Sequence, residues 1–293
     1  MRNSIPLKGI SLAGVILLLA VVPALVFAGG QKEGAAPASS KYASSSSASS
    51  GTLNPAAASQ LISKGTLTVG LMGTYPPYNF LNDRHQADGF DADIAREIAR
   101  RIGVQAQFVP TEWSGMIEGL VKGRFDAVIS QMTITDDRKK VMDFSQPYMR
   151  NPVQVIVRSD NTTITGLADL KGKRVGVGLG TNDETYLREE ANPKYGPFTI
   201  ATYDDVITSL KDLSDGRIDA TINNIYAISP VVEKNHYQIK AVGDPIKVDY
   251  AGVAVQKNHA DLLAAIDKAL ADMKSDGTYN SIFRKWFNSD PVS

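Results

Sequence analysis

Cysteine is absent from the chain, and histidine occurs only 3 times. Without a thiol there is no disulfide, no thiolate nucleophile or metal site, and no cysteine to carry a lipid anchor. His85, His236 and His259 stand apart with no i,i+4 pair, so neither a metal cage nor a catalytic triad is indicated, and no cofactor motif appears. An excess of charge is missing too, with Lys+Arg 31 against Asp+Glu 31. That balance offers nothing to draw nucleic acid or an anionic membrane. Only one long apolar run exists, Ile10–Val22, and it lies near the start of the chain. The remainder is therefore not expected to be embedded in a membrane.

That run has the layout of an export signal. Arg2 and Lys8 precede it, Pro23 ends it, and Val26-Phe27-Ala28 supplies small residues at the positions a signal peptidase reads. Residues 1–28 are accordingly read as a signal peptide, and residues 29–58, rich in Ala and Ser, as a flexible tether. An exported chain without a lipidated Cys is expected in a periplasm.

From residue 59 onward, strand-like and helix-like patterns alternate. Thr66–Leu71, Phe108-Val109, Ala127–Ile129, Val153–Val157, Val175–Val177, Ile218–Ile222 and Val253–Val255 read as strands. Helical spacing marks Asp91–Ile102, Trp113–Val121, Glu184–Ala191, Asp204–Leu213, Ile225–Glu233, Leu262–Met273 and Tyr279–Phe287. Strands separated by helices predict an α/β fold with mostly parallel sheets covered on both faces.

The chain also repeats itself. Gly123-Arg124-Phe125-Asp126-Ala127 leads to Ser130, and Gly216-Arg217-Ile218-Asp219-Ala220 leads to Asn223-Asn224. Upstream, Val69-Gly70-Leu71-Met72-Gly73-Thr74 precedes Tyr75, and Val177-Gly178-Leu179-Gly180-Thr181 precedes Asn182. Each half thus has strands ending in small or polar residues. Ligands of open α/β sheets bind beyond such carboxyl ends, so two halves predict two lobes facing each other across a cleft.

The chemistry concentrates at those ends. Ser130, Gln131 and Thr133 follow one strand, Thr135 with Asp136 and Asp137 starts a helix, and Arg138 brings a planar fork of donors suited to a carboxylate. Gly176-Val177-Gly178-Leu179-Gly180 lacks the third glycine of a dinucleotide fingerprint, and no Gly-Lys-Ser/Thr follows. What remains is a turn, Gly180-Thr181-Asn182-Asp183, whose N–H groups open a helix. Tyr75, straight after a Gly-Thr strand end, and Trp113, at a helix start, are candidates to face a ligand, although either residue would also serve as ordinary packing.

Several motifs in order now resemble a known family. Tyr75-Pro76-Pro77-Tyr78, Gly89-Phe90-Asp91, Trp113-Ser114-Gly115-Met116, Thr133-Ile134-Thr135 with Arg138, Asp143-Phe144-Ser145, Leu170-Lys171-Gly172-Lys173-Arg174-Val175-Gly176 and Asp276-Gly277-Thr278-Tyr279 are similar to the family 3 solute-binding proteins of amino-acid ABC transporters. Trp113–Met116, Ile129–Met132 and Gly176–Asn182 are most like the cystine-binding members. The resemblance implies a two-lobed periplasmic binding protein with two hinge strands. Lobe 1 would be 59–154 and 250–293, and lobe 2 would be 155–249.

It also implies roles. Arg138 would clamp the ligand carboxylate, helped by Thr133 and Thr181, while Ser130 and Gln131 add hydrogen bonds. Tyr75 and Trp113 would line the side-chain pocket, and Asn182 would close from lobe 2. The family commonly places an Asp for the ligand ammonium where this chain has Asn224. Either that site is weaker, another acid such as Asp249 substitutes, or the ligand is not an α-amino acid. The implied function is a monomeric receptor that hands a polar amino acid to an ABC permease and performs no catalysis. Two alternatives from other classes remain: a dehydratase of cyclic dienyl acids, which needs a cleft carboxylate as general acid and has none at the strand ends, and the ligand module of a sensor.

Overall fold

A computed structural model describes residues 54–291. The expected signal peptide and most of the expected tether lie outside these residues. The last part of that tether is not a tether. Pro55–Ser59 form helix α1, capped by Asn54, whose side chain accepts the Ala56 N–H at 2.8 Å, with Ala57 buried. Three alanines of good helix propensity and a proline at the first helical position explain why this Ala-rich piece folds where its neighbours' composition predicts disorder.

The strands in order are β1 (Thr66–Leu71), β2 (Thr74–Tyr75), β3 (Asn79–Leu81), β4 (Ala87–Asp88), β5 (Gln105–Pro110), β6 (Ala127–Val128), β7 (Met142–Phe144), β8 (Met149–Arg158), β9 (Arg174–Gly178), β10 (Thr199–Tyr203), β11 (Ala220–Asn224), β12 (Ile239–Ala251) and β13 (Ala254–Gln256). After α1 the helices are α2 (Phe90–Arg101), α3 (Trp113–Val121), α4 (Asp136–Val141), α5 (Asn182–Tyr186), α6 (Asn192–Tyr195), α7 (Val206–Ser214), α8 (Ile225–Asn235), α9 (Ala260–Ser275) and α10 (Thr278–Phe287). Two five-stranded sheets result, in the orders β5-β1-β6-β13-β7 and β10-β9-β11-β8-β12. In each, three strands run parallel and the last two pairings are antiparallel.

The repeat seen in the sequence is a repeat in space. Phe125 packs on Gly70 of β1 so closely that a Cβ there would sit 2.8 Å from its ring, and Ile218 fills the space beside Gly176 of β9, where a Cβ would sit 2.5 Å from its Cδ1. Each motif's Asp then ties its strand to the neighbour. Asp126 accepts the Thr68 N–H at 2.7 Å, and Asp219 accepts the Arg174 N–H at 2.7 Å. Glycine on one strand and a bulky residue before the next are what bring these parallel strands to the same register in both lobes.

Besides the short strands β2, β3, β4 and β7, two longer ones escape a hydrophobic reading. β10 has no fully buried position, and β12 is a long edge strand interrupted by a bulge between Val242 and Lys247. β12 and β8 pair antiparallel along their lengths, down to Ala251 with Met149. They carry the chain between the two sheets, since β7 and β13, at their far ends, belong to the first. The core of the first lobe is built on α2, α9 and α10, where Phe90 meets Tyr279, Phe283 and Phe287 edge to face.

Candidate functional site

A cavity opens where the carboxyl ends of the two sheets meet. From the first lobe it is lined by Met72, Tyr75, Trp113, Ser130, Gln131 and Thr133, and from the strands that cross over by Asn151, Val153 and Asp249. The second lobe contributes Gly178, Leu179, Thr181, Asn182 and Asp183, the strand end Thr221–Asn224, and the segment from Tyr203 to Val206 with Ser209. Most of the residues singled out in the sequence therefore meet on one cavity. Arg138 is not on its lining.

Arg138 lies just behind. Its side chain is held by α4, whose N-cap Thr135 accepts the Arg138 N–H at 3.2 Å. The guanidinium stands over the Trp113 ring, 5.2 Å from its centroid, and Nη1 donates to the Thr133 carbonyl at 2.9 Å. Only 7% of the residue is exposed, and among the described residues Nε and Nη2 have no acceptor. Burial pushes its pKa down to about 10, against the pull of Asp183 and Asp249, so it remains a cation at neutral pH.

The wall on the first lobe is fixed from behind. Gln131 has a φ of 52°, in the left-handed region that a non-glycine residue enters at some cost. The turn aims its N–H at the Tyr148 hydroxyl (3.1 Å) and its Nε2 at Asp91 Oδ1 (2.6 Å). Asp91 is fully buried and also accepts from Tyr148 Oη at 2.9 Å and Asn79 Nδ2 at 2.7 Å. Burial raises its pKa to about 7 in spite of those hydrogen bonds. Ser130 Oγ accepts the Met72 N–H at 3.1 Å.

The opposite wall reaches across the cleft. Tyr75 Oη donates to Asn223 Oδ1 at 2.9 Å, and Trp113 Nε1 donates to the Gly180 carbonyl at 3.1 Å. Gly180 has a φ of 69°, which a side chain would resist and which turns its carbonyl toward the indole. Asn224 is the N-cap of α8, accepting the Tyr226 N–H at 3.0 Å, while its Nδ2 donates to Tyr78 Oη at 2.6 Å and to Asn151 Oδ1. Thr181 likewise caps α5, its hydroxyl donating to the Gly178 carbonyl at 2.8 Å and accepting the Glu184 N–H at 3.2 Å. Burial, and then nearby Asp183, Asp91 and Asp249, raise the Tyr75 pKa, keeping its hydroxyl a donor.

One cluster was not singled out as a whole in the sequence. Asn182 Nδ2 donates to Asp249 Oδ2 at 2.7 Å, and Lys247 Nζ lies 2.7 Å from Asp183 Oδ1 and 3.0 Å from Asp249 Oδ2. Burial raises the Asp183 pKa against the Lys247 charge. For Lys247, burial alone would lower the pKa, but the two acids outweigh it and raise it. The available signal was the i,i+2 spacing of Lys247 and Asp249, which puts both on one side of a strand. Four carboxylates thus line the cavity, Asp183 and Asp249 of this cluster together with Asp204 and Asp205, which follow directly on the end of β10 and which the sequence reading of the strand ends passed over. Among the described residues no three His, Asp or Glu converge as metal ligands, and no helix is long and apolar enough to cross a membrane.

Known proteins share this architecture. The L-cystine-binding protein TcyJ of Escherichia coli is 42% identical over 228 residues, spanning 78% of this chain and 84% of the relative. A solved ancestral arginine-binding protein bound to arginine is 38% identical, with a TM-score of 0.72 over 76% of this chain and 99% of that one. The ancestral amino acid-binding protein AncCDT-1, described as a precursor of cyclohexadienyl dehydratase, is 36% identical, with a TM-score of 0.70 over 76% of this chain and 96% of that one. The model of the bacterial extracellular solute-binding proteins, family 3, matches residues 67–289. With the two-sheet fold and the cavity between its lobes, these matches place the chain in family 3 of the bacterial extracellular solute-binding proteins.

Proposed function

We propose that this protein is a periplasmic receptor that closes on a polar α-amino acid, cystine foremost, and presents it to an ABC permease. The observation that carries the reading is the charge layout of the cleft, with a buried, incompletely bonded Arg138 just behind its first-lobe wall and Asp183 and Asp249 on its lining. A zwitterion matches that pair of poles, its carboxylate toward the guanidinium and its ammonium toward the acids. Closure adds hydrogen bonds from both walls at once, and the ligand favours the closed state by its differential affinity for it. Cystine takes precedence because the L-cystine-binding protein TcyJ of Escherichia coli is 42% identical to this chain. The protein is expected to act as a monomer, free of a lipid anchor, and without catalysis.

The test is a thermal-shift screen of the exported protein, refolded to strip bound ligand, against the common amino acids, cystine, polyamines and small carboxylates. A ligand at a hundredfold excess over its Kd stabilises the native state by about 2.7 kcal/mol. A shift with cystine or another amino acid supports the receptor, and shifts confined to compounds without an amine refute the amino-acid assignment. A second reading rests on the carboxylates of the cleft, Asp183 and Asp249 among them, which offer candidates for the acid a dehydratase needs. Loss of water from a cyclohexadienyl acid incubated with the protein would favour it.

A further inference from the structure

We propose that the α-ammonium of the ligand is received by Asp183 and Asp249, and that the strand-end amide Asn224 serves instead as a fastening between the lobes. The inference rests on the amino-acid receptor reading above. Asn224 offers a ligand cation at most one lone pair of an uncharged oxygen that already caps a helix. Both hydrogens of its Nδ2 are given to Tyr78 Oη and Asn151 Oδ1, and its Oδ1 caps α8.

Asp183 and Asp249 are in the opposite condition. Lys247 and Asn182 engage only Asp183 Oδ1 and Asp249 Oδ2. Among the described residues, Asp183 Oδ2 and Asp249 Oδ1 have no partner. The two side chains are 20% and 16% exposed, and both line the cavity. An ammonium carries three donors in a tetrahedral spread, and two free carboxylate oxygens from different elements, α5 and β12, can accept from it without displacing Lys247.

Charge counting agrees. Around the cavity Arg138 and Lys247 oppose Asp183 and Asp249, so the inner cluster is balanced when empty and stays balanced with a zwitterion. Asp204 and Asp205 also border the cavity, Asp204 exposed and Asp205 half-buried as the N-cap of α7. These further negative charges disfavour a ligand that brings a carboxylate without an amine. Arg138 supplies the second observation: nine-tenths buried, it keeps two guanidinium nitrogens without acceptors, as a group awaiting the other pole of the same molecule would.

The experiment compares L-cystine with dithiodipropionate, which is cystine without its amines, and L-arginine with guanidinovalerate, which is arginine without its α-amine. Affinities are measured by calorimetry for the wild type, Asp183→Asn and Asp249→Asn. Each substitution is expected to weaken the amino acid about tenfold or more while leaving the amine-free analogue unchanged or bound more tightly. On the unaltered protein, the carboxylate carbon NMR signals of Asp183 and Asp249 are expected to move with the amino acid and not with its analogue. Retained affinity in both variants, equal losses of both ligands, or motionless carboxylate signals with a bound amino acid would overturn the assignment and leave the receptor reading standing. A wild type that binds no amino acid at all overturns the receptor reading, and the ammonium site with it.

Discussion

The two copies of the Gly-Arg-x-Asp-Ala motif fold alike up to the end of their strands and then part company. After β6, Gln131 is anchored inward, to Tyr148 and the buried Asp91 of its own lobe. After β11, Asn223 and Asn224 are anchored outward, to Tyr75 and Tyr78 of the other lobe and to Asn151 where β8 begins. One strand end is a fixed wall and the other is a clasp. The difference shows that a duplicated fold does not entail a duplicated role: identical packing delivers each strand end to the cleft, and the next two or three side chains decide whether it braces the lobe or closes it.

The largest effect should come from removing the cation behind the fixed wall. Arg138→Ala is expected to cost at least about 2 kcal/mol of ligand binding, roughly thirtyfold in Kd by calorimetry; unchanged affinity would end its assignment as the carboxylate clamp. Asp91→Asn should act on stability instead, by about 2 kcal/mol, because an amide nitrogen would face donors that the carboxylate now accepts. Here pH adds a sign. The raised carboxyl pKa means the folded state holds a proton that the unfolded state releases between 3.8 and about 7, so this residue's contribution to stability falls as pH rises through that window. Melting curves across the range should show the gap between wild type and Asp91→Asn shrinking toward neutral pH, whereas a constant gap would mean that Asp91 is ionised throughout.

The clasp should respond more gently. Asn224→Asp removes the donors to Tyr78 and Asn151 and sets a carboxylate against the Asn151 oxygen, which is expected to weaken amino-acid binding by about 1.5 kcal/mol. Tighter binding would return the ammonium to this position. Tyr75→Phe deletes a single cross-lobe hydrogen bond and should cost about 1 kcal/mol, roughly fivefold in Kd, with little change in the unliganded melting temperature. A large drop in that temperature would make Tyr75 part of the fixed wall after all.

Much of this was legible in the residues. Buried runs such as Val153–Val157 and amphipathic spacing such as Asp91–Ile102 announce their elements because water exclusion imposes the pattern. The repeated motif announced the two lobes, since Phe125 and Ile218 need a glycine opposite. β12 did not announce itself, because an edge strand with Lys240, Asp244 and Lys247 has little apolar surface to bury and its bulge breaks the alternation. The network behind Gln131 was hidden for another reason. Asp91 reads as an ordinary acid in the first turn of a helix, and only tertiary packing buries it. Lys247 and Asp183 became part of the site because a hinge strand and a helix start, 64 positions apart in sequence (247 − 183), arrive at one spot.

The indole of Trp113, fastened to the Gly180 carbonyl across the cleft, has an optical consequence. The chain holds 2 tryptophans, and the other, Trp286, donates its Nε1 to Asp93 at 2.8 Å within the first lobe. On the receptor reading, lobe opening would exchange the partner of one indole for water and leave the other's within its own lobe. The protein would then carry its own emission probe of closure with an internal standard beside it, and the rate at which a ligand shuts the cleft could be followed by stopped flow without attaching a dye.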